Sequence, residues 1–204
     1  MREINTICSV VCPPAHRMEE ENLAFHRAMI GQLIERELRI AINDGVSVFR
    51  LGMHMGADIW AAERIIALRD KHYPHIRLHC YLSCETQADH WPEPWREPFF
   101  DALAMADDVL ILQSRYSRGC RARQSREMLA GSGRLIAVHD NVAEGGIDQT
   151  VSYAENRGIE AIVIQPLEGP PIPADLGYSK SRRRVSSAYA AGSSMGISAI
   201  KRAR

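Results

Sequence analysis

The sequence lacks an excess of either charge: its 204 residues carry 25 Lys+Arg and 25 Asp+Glu, a formal net charge of zero. A balanced chain exerts little long-range pull on a polyanion, which argues against nucleic acid or an anionic membrane surface as the partner of the whole molecule. It also lacks any apolar run near the roughly 18 residues that a bilayer-spanning helix requires. The opening Met1-Arg2-Glu3-Ile4-Asn5 does not show the basic, then apolar, then small-residue order of a secretory signal, so the expected location is the cytoplasm. Five cysteines occur, Cys8, Cys12, Cys80, Cys84 and Cys120, and none shows the two-residue spacing of zinc knuckles or redox pairs. Reduced thiols are expected.

What is present is an ordinary globular composition, 46% hydrophobic and 25% charged, of a length that suits one domain with an appendage. Short apolar runs alternate with helical patterns. Strands are predicted at Ile4–Val11, Val46–Leu51, Ile76–Leu82, Val109–Leu112, Leu135–His139 and Ala161–Ile164. Between them fall helices at Glu19–Asn43, ended by Asp44-Gly45, at Ala57–Lys71, at about Phe99–Met105, after the Arg-rich segment, and from Gly145-Gly146 to about Gly158. Ser83–Pro98, with three prolines and two tryptophans, reads as a long loop. About six strands without clean alternation, separated by helices, predict a Rossmann-like three-layer α/β fold with a mostly parallel sheet.

The domain is expected to end at residue 166. Residues 167–204 hold seven Lys+Arg against two Asp+Glu, which leaves 18 against 23 for residues 1–166. That basic, Pro- and Ser-rich tail buries too little apolar surface to offset ordering entropy and is expected to be disordered. For the tail, unlike the body, nucleic acid stays open as a partner.

In an open parallel sheet, ligands bind at the carboxyl ends of the strands. The loop Gly52-Met53-His54-Met55-Gly56-Ala57-Asp58 lies between a strand and a helix there. Its glycines permit positive φ, and the helix start favours an anion, which argues for phosphate. The spacing matches neither G-x-G-x-x-G nor a P-loop, so a plain tight turn with Asp58 as a helix cap remains the alternative. Trp60 reads as core. Arg115, Arg118, Arg121, Arg123 and Arg126 crowd the stretch after the fourth strand, where guanidinium forks suit phosphate oxygens and a solvated face is the alternative. Only Tyr116 offers an aromatic there, too few for stacking single-stranded nucleic acid. Cys12, His54, Cys84, Cys120 and His139 lie near strand ends on one side, but no spacing demands a metal and none is predicted.

Val48-Phe49-Arg50-Leu51-Gly52-Met53-His54-Met55-Gly56-Ala57-Asp58-Ile59-Trp60-Ala61-Ala62-Glu63 resembles the glycine-aspartate-tryptophan-Ala-Ala-Glu signature of the YpsA-like branch of the SLOG superfamily, which also includes DprA/Smf and the LOG phosphoribohydrolases. Cys12 through His16-Arg17 is similar to that branch's Cys-Phe-Thr-Gly-His-Arg opening. Gln87 with Trp91, Ala106-Asp107, Tyr116, Gly119-Cys120, Ala137-Val138-His139-Asp140, Gly145-Gly146, Thr150-Val151 and Tyr153-Ala154 continue the match in order over residues 4–166. The resemblance implies a nucleotide or nucleotide-derived ligand, no fixed cofactor, and a sensor or regulatory module rather than a defined enzyme. It also implies a homo-oligomer, with no interface marked. By the same resemblance Gly52, Met53, Gly56 and Asp58 form the ligand loop, His16 and Arg17 face it, and Gln87 and Trp91 border it. Arg123, Arg126, Gly145 and Gly146 complete the candidate set. The departures are Pro14-Ala15 for Thr-Gly, Gln124-Ser125 for Arg-Asn and Gly145-Gly146-Ile147 for Gly-Gly-Thr, and they predict a ligand altered or lost. The LOG enzymes supply the enzymatic alternative, N-glycosidic hydrolysis of a nucleoside monophosphate. They place an essential Glu four residues after a loop glycine, where this chain has Trp60. Asp58 and Glu63 are the remaining catalytic candidates, each needing a different geometry.

Overall fold

A computed structural model describes residues 5–17, 22–139, 145–165 and the backbone of 183–184. Six parallel strands, β1 (Ile7–Val11), β2 (Val48–Leu51), β3 (Arg77–Leu82), β4 (Asp108–Ile111), β5 (Arg134–Val138) and β6 (Glu160–Ile164), form the body of the sheet. Arg183–Arg184, named β7, pairs antiparallel with β6, and the sheet order is β4-β3-β2-β1-β5-β6-β7. The rest of the expected tail lies outside the described residues. Helices α1 (Leu23–Asn43), α2 (Ala57–Lys71), α3 (Glu93–Ala104), α4 (Cys120–Leu129) and α5 (Gly146–Asn156) join the strands. The expected Rossmann-like α/β fold is the one observed.

The sheet is covered on both faces, which explains why its strands show no simple polar alternation. All five residues of β5 are buried. Ile136 and Val138 join the larger core with Cys8, Val10, Phe49 and Leu51 beneath α1 and α2, whereas Leu135 and Ala137 pack with Ile147 and Ala154 of α5. Under α4 the sheet is polar. Ser9 Oγ donates to the Met128 carbonyl at 2.9 Å, and Arg50 Nη1 donates to the Met128 and Ala130 carbonyls at 3.2 and 2.6 Å. These groups satisfy the last carbonyls of α4 and place a cation at the negative end of its dipole.

Two sequence expectations shift. α1 begins at Leu23, residues 18–21 lying outside the described set, and it ends with Gly45 at a φ of 95°, as a glycine after a helix should. α3 begins at Glu93, inside the stretch expected to be a loop. The prolines misled: Pro92 is the N-cap and Pro94 follows in the first turn, where a missing N–H costs the helix nothing. Burial then fixes the helix. Trp95 packs on Trp60 at a ring separation of 5.7 Å, and Trp91 meets Phe99 edge-on at 4.9 Å. Trp60 is 4% exposed, in the core as expected.

Candidate functional site

Strand order reverses at β1, with β2, β3 and β4 on one side and β5 and β6 on the other. The carboxyl ends of β1 and β5 flank that switch point, where open α/β sheets receive ligands. The loop between β2 and α2 lies beside it and is held in an unusual backbone. Met53 has a φ of 53° and is fully buried, and Gly56 has a φ of 134°. Met53 is the sole non-glycine with positive φ among the described residues. A side chain at Gly56 is excluded twice. Its φ disfavours L residues, and a Cβ would stand 2.5 Å from Ala15 N, 2.6 Å from Pro13 O and 2.8 Å from Pro14 C.

That close approach is a short antiparallel bridge between Pro14 and Gly56. Ala15 N–H donates to the Met55 carbonyl at 2.8 Å, and Ala57 N–H donates to the Pro13 carbonyl at 3.0 Å. One of the amides at the start of α2 is therefore spent on the protein itself. The Pro14-Ala15 departure from the family pattern lies at this seam, and Pro14, which has no N–H, still lets Pro13 and Ala15 make both bonds.

Three side chains brace the loop. Asp58 is 2% exposed, and its Oδ1 accepts from Cys12 N–H at 3.0 Å. Its Oδ2 accepts from His54 N–H at 3.0 Å and lies 3.0 Å from His54 Nδ1. Asp58 thus ties the end of β1 to the β2 loop. It is not the cap of α2, since Gly56 holds that position without a side-chain bond. Gln87 Oε1 accepts from Ser83 N–H and Oγ, both at 2.8 Å, and its Nε2 donates to the Gly52 and Met53 carbonyls at 3.2 and 2.7 Å. Gln124, fully buried on α4, donates from Nε2 to the Gly52 carbonyl at 2.6 Å and to the Tyr81 carbonyl. Its Oε1 meets no donor among the described residues. A Cβ on Gly52 would stand 2.8 Å from His54 Cε1, so a side chain there would displace the His54 ring.

The expected site residues divide accordingly. Asp58 and Gln87 face inward as braces, Met53 is buried in the loop they hold, and Trp91 packs against Phe99. His16 is exposed in a 3₁₀ turn, Ala15–Arg17, which also contains Arg17. Arg121, Arg123 and Arg126 are exposed on α4 and make no ion pair among the described residues. Gly146 opens α5 with nothing within 4 Å of a Cβ, and Gly119 opens α4 equally unobstructed. His139, at the end of β5, lies 2.7 Å from Asp148 Oδ1 through Nε2, linking that strand end to α5. Of the two catalytic candidates, Asp58 has both oxygens engaged, and Glu63 forms a 2.7 Å ion pair with Arg27 on the outer side of α2. Gln124 is the brace that sequence reasoning missed. Its signal in the sequence was the Gln124-Ser125 departure from the resembled pattern, which marks the position but not its role.

The cysteines are buried thiols. Burial pushes Cys8 and Cys80 up to about 12, and burial with the neighbouring Asp58 charge raises Cys12 well above its ordinary value. No three His, Cys, Asp or Glu side chains converge as a metal site among the described residues.

This fold, with its braced strand-end loop at a switch point, defines a Rossmann-like open-sheet α/β protein. The YpsA family model, described as the YspA SLOG family, matches residues 21–166, and the chain belongs to that family. It is 29% identical over 136 residues to a UPF0398 protein of Halalkalibacterium halodurans, covering 65% of this chain and 71% of the relative. It is 25% identical over 130 residues to the UPF0398 protein YpsA of Bacillus subtilis, covering 63% and 72%. A UPF0398 protein of Bacillus velezensis is 29% identical over 130 residues, with 63% and 71% covered. No helix among the described residues is long and apolar enough to cross a membrane.

Proposed function

We propose that the protein binds a nucleotide or nucleotide-derived small molecule at the carboxyl ends of its parallel strands and acts as a sensor or regulatory module. The observation that carries this reading is the Gly52–Gly56 turn. A buried methionine in the left-handed region costs on the order of 1–3 kcal/mol and persists only where its surroundings over-determine it. Here Asp58, Gln87 and Gln124 do so from three separate elements. Such bracing fixes a backbone in place, which is what presenting amides to a ligand requires. The exposed His16, Arg123 and Arg126 supply charge for phosphate, Arg17 follows His16 in the same turn, and the open helix starts at Gly119 and Gly145-Gly146 supply amides and positive dipole ends.

Thermal melting of the full chain against a panel of nucleotides and their phosphorylated derivatives tests the reading. A ligand present at 100 times its Kd should stabilise the protein by about 2.7 kcal/mol. The Arg123→Ala/Arg126→Ala double variant, altered only at exposed positions, should keep the unliganded melting point and lose the ligand-induced shift. No shift across the panel would refute the proposal. Release of free base from any nucleoside monophosphate would instead establish the hydrolytic alternative.

A further inference from the structure

All six large hydrophobic side chains that are exposed among the described residues fall within residues 100–116. They are Phe100, Met105, Val109, Leu110, Ile111 and Tyr116, at 38 to 66% exposure. Three of them make up most of β4, which ends the sheet. It pairs with β3 on one side and, among the described residues, with no strand on the other. The register pairs Cys80 with Val109 and Tyr81 with Leu110, so Val109 and Ile111 face the α3 side and Leu110 the opposite side. Among the described residues both faces of this strand are apolar and exposed, whereas β5 is buried along its whole length.

Edge strands in monomeric proteins are blunted by lysine, proline or a bulge, because their free N–H and C=O groups invite another strand. Asp108-Val109-Leu110-Ile111 carries no lysine and no proline. Its charges are distributed along the chain direction. Asp108, 65% exposed in its side chain, stands at the start, and Arg115 and Arg118 follow the end. Asp107 is already committed, at 2.8 Å to Arg69 and 3.0 Å to Arg77, which leaves Asp108 as the acid that faces outward. Its near neighbour within the chain is His79 Nδ1 at 4.0 Å. Arg115 and Arg118 make no ion pair among the described residues.

We propose that the β4 edge is the dimer interface of this protein, pairing antiparallel with β4 of a second copy about a two-fold axis near Leu110. Antiparallel pairing is the arrangement that a two-fold axis generates, and it makes one patch its own complement. It sets the Asp108 end of each copy against the Arg115 end of the other, places Leu110 against Leu110 and Val109 against Ile111 across the axis, and continues the backbone ladder across the junction. A parallel arrangement would set acid against acid and arginine against arginine.

The test is sedimentation equilibrium of the full chain at tens of micromolar. The expected mass is twice the 22.9 kDa of one chain. Leu110→Lys, Asp108→Arg and Arg115→Asp should each lower the dimer fraction at least tenfold in dissociation constant, and the Asp108→Arg/Arg115→Asp double variant should regain dimerisation. Circular dichroism shows whether each variant is folded, and Arg115→Asp, in an exposed loop, tests the charge pairing without touching the strand. A monomeric parent would overturn the proposal. So would a dimer indifferent to Leu110→Lys, an open-ended series of oligomers, or a double variant no more associated than the single ones.

Discussion

Replacing Asp58 with alanine removes a carboxylate that is 2% exposed and accepts from the backbone N–H of Cys12 and of His54. Each buried donor left without an acceptor costs about 1–3 kcal/mol. The His54 ring, 28% exposed in its side chain, can turn to water and adds little. The sum is about 4 kcal/mol, far above the roughly 1 kcal/mol that loss of an ordinary helix cap would cost. For a protein of this length each kcal/mol lowers the melting point by about 2–4 °C, so the Asp58→Ala variant should melt about 8–16 °C lower. Asp58→Asn keeps one acceptor and turns an NH2 toward the donor on the other side, so its loss should be intermediate. Urea unfolding followed by circular dichroism measures the difference. A loss near 1 kcal/mol for the alanine variant would show that Asp58 is a simple cap and that the brace between the β1 and β2 loops contributes nothing.

Gly56→Ala forces a Cβ against the Pro13–Ala15 backbone at 2.5–2.8 Å and should lower stability severely. Gly119→Ala, at a φ of 85° with open space around it, should cost only about 1–2 kcal/mol. Equal losses in chemical unfolding would contradict the close approach. Burial favours the neutral form of Asp107, but the Leu78 N–H and the guanidinium groups of Arg69 and Arg77 outweigh it and hold the carboxyl below its ordinary value. Its contribution is therefore complete above the unfolded-state value, near 3.8, and is lost as pH falls through the lower folded value. Asp107→Asn should flatten the stability profile in that acid range, and an unchanged slope there would refute the assignment. All five thiols are buried, and Cys8 and Cys80 are raised to about 12. An aromatic disulfide reagent at pH 8 should label them at the rate of unfolding, and rapid native labelling would contradict the packing.

The residue pattern determined the strand and helix alternation, because a strand buried on both faces is a short run of apolar residues and a helix repeats its apolar face over many turns. It marked Ala57–Lys71 to the residue, since Gly56 and Tyr73-Pro74 bound it sharply. It misplaced the start of α3. Proline reads as loop unless its position in the first helical turn is known, and that position depends on Trp95 finding Trp60 across the core. The sequence also marked the glycine-rich loop, yet it could not separate ligand contacts from braces. Asp58, Gln87 and Gln124 are polar residues of an ordinary kind. Their roles arise because the parallel topology brings α2 to the end of β1, and the loop after β3 and α4 to the end of β2, across 46, 35 and 72 residues of chain. The same holds for β4. Its Val-Leu-Ile run reads as a core strand like any other, and the sheet order, which places it last among the described strands, leaves those side chains exposed.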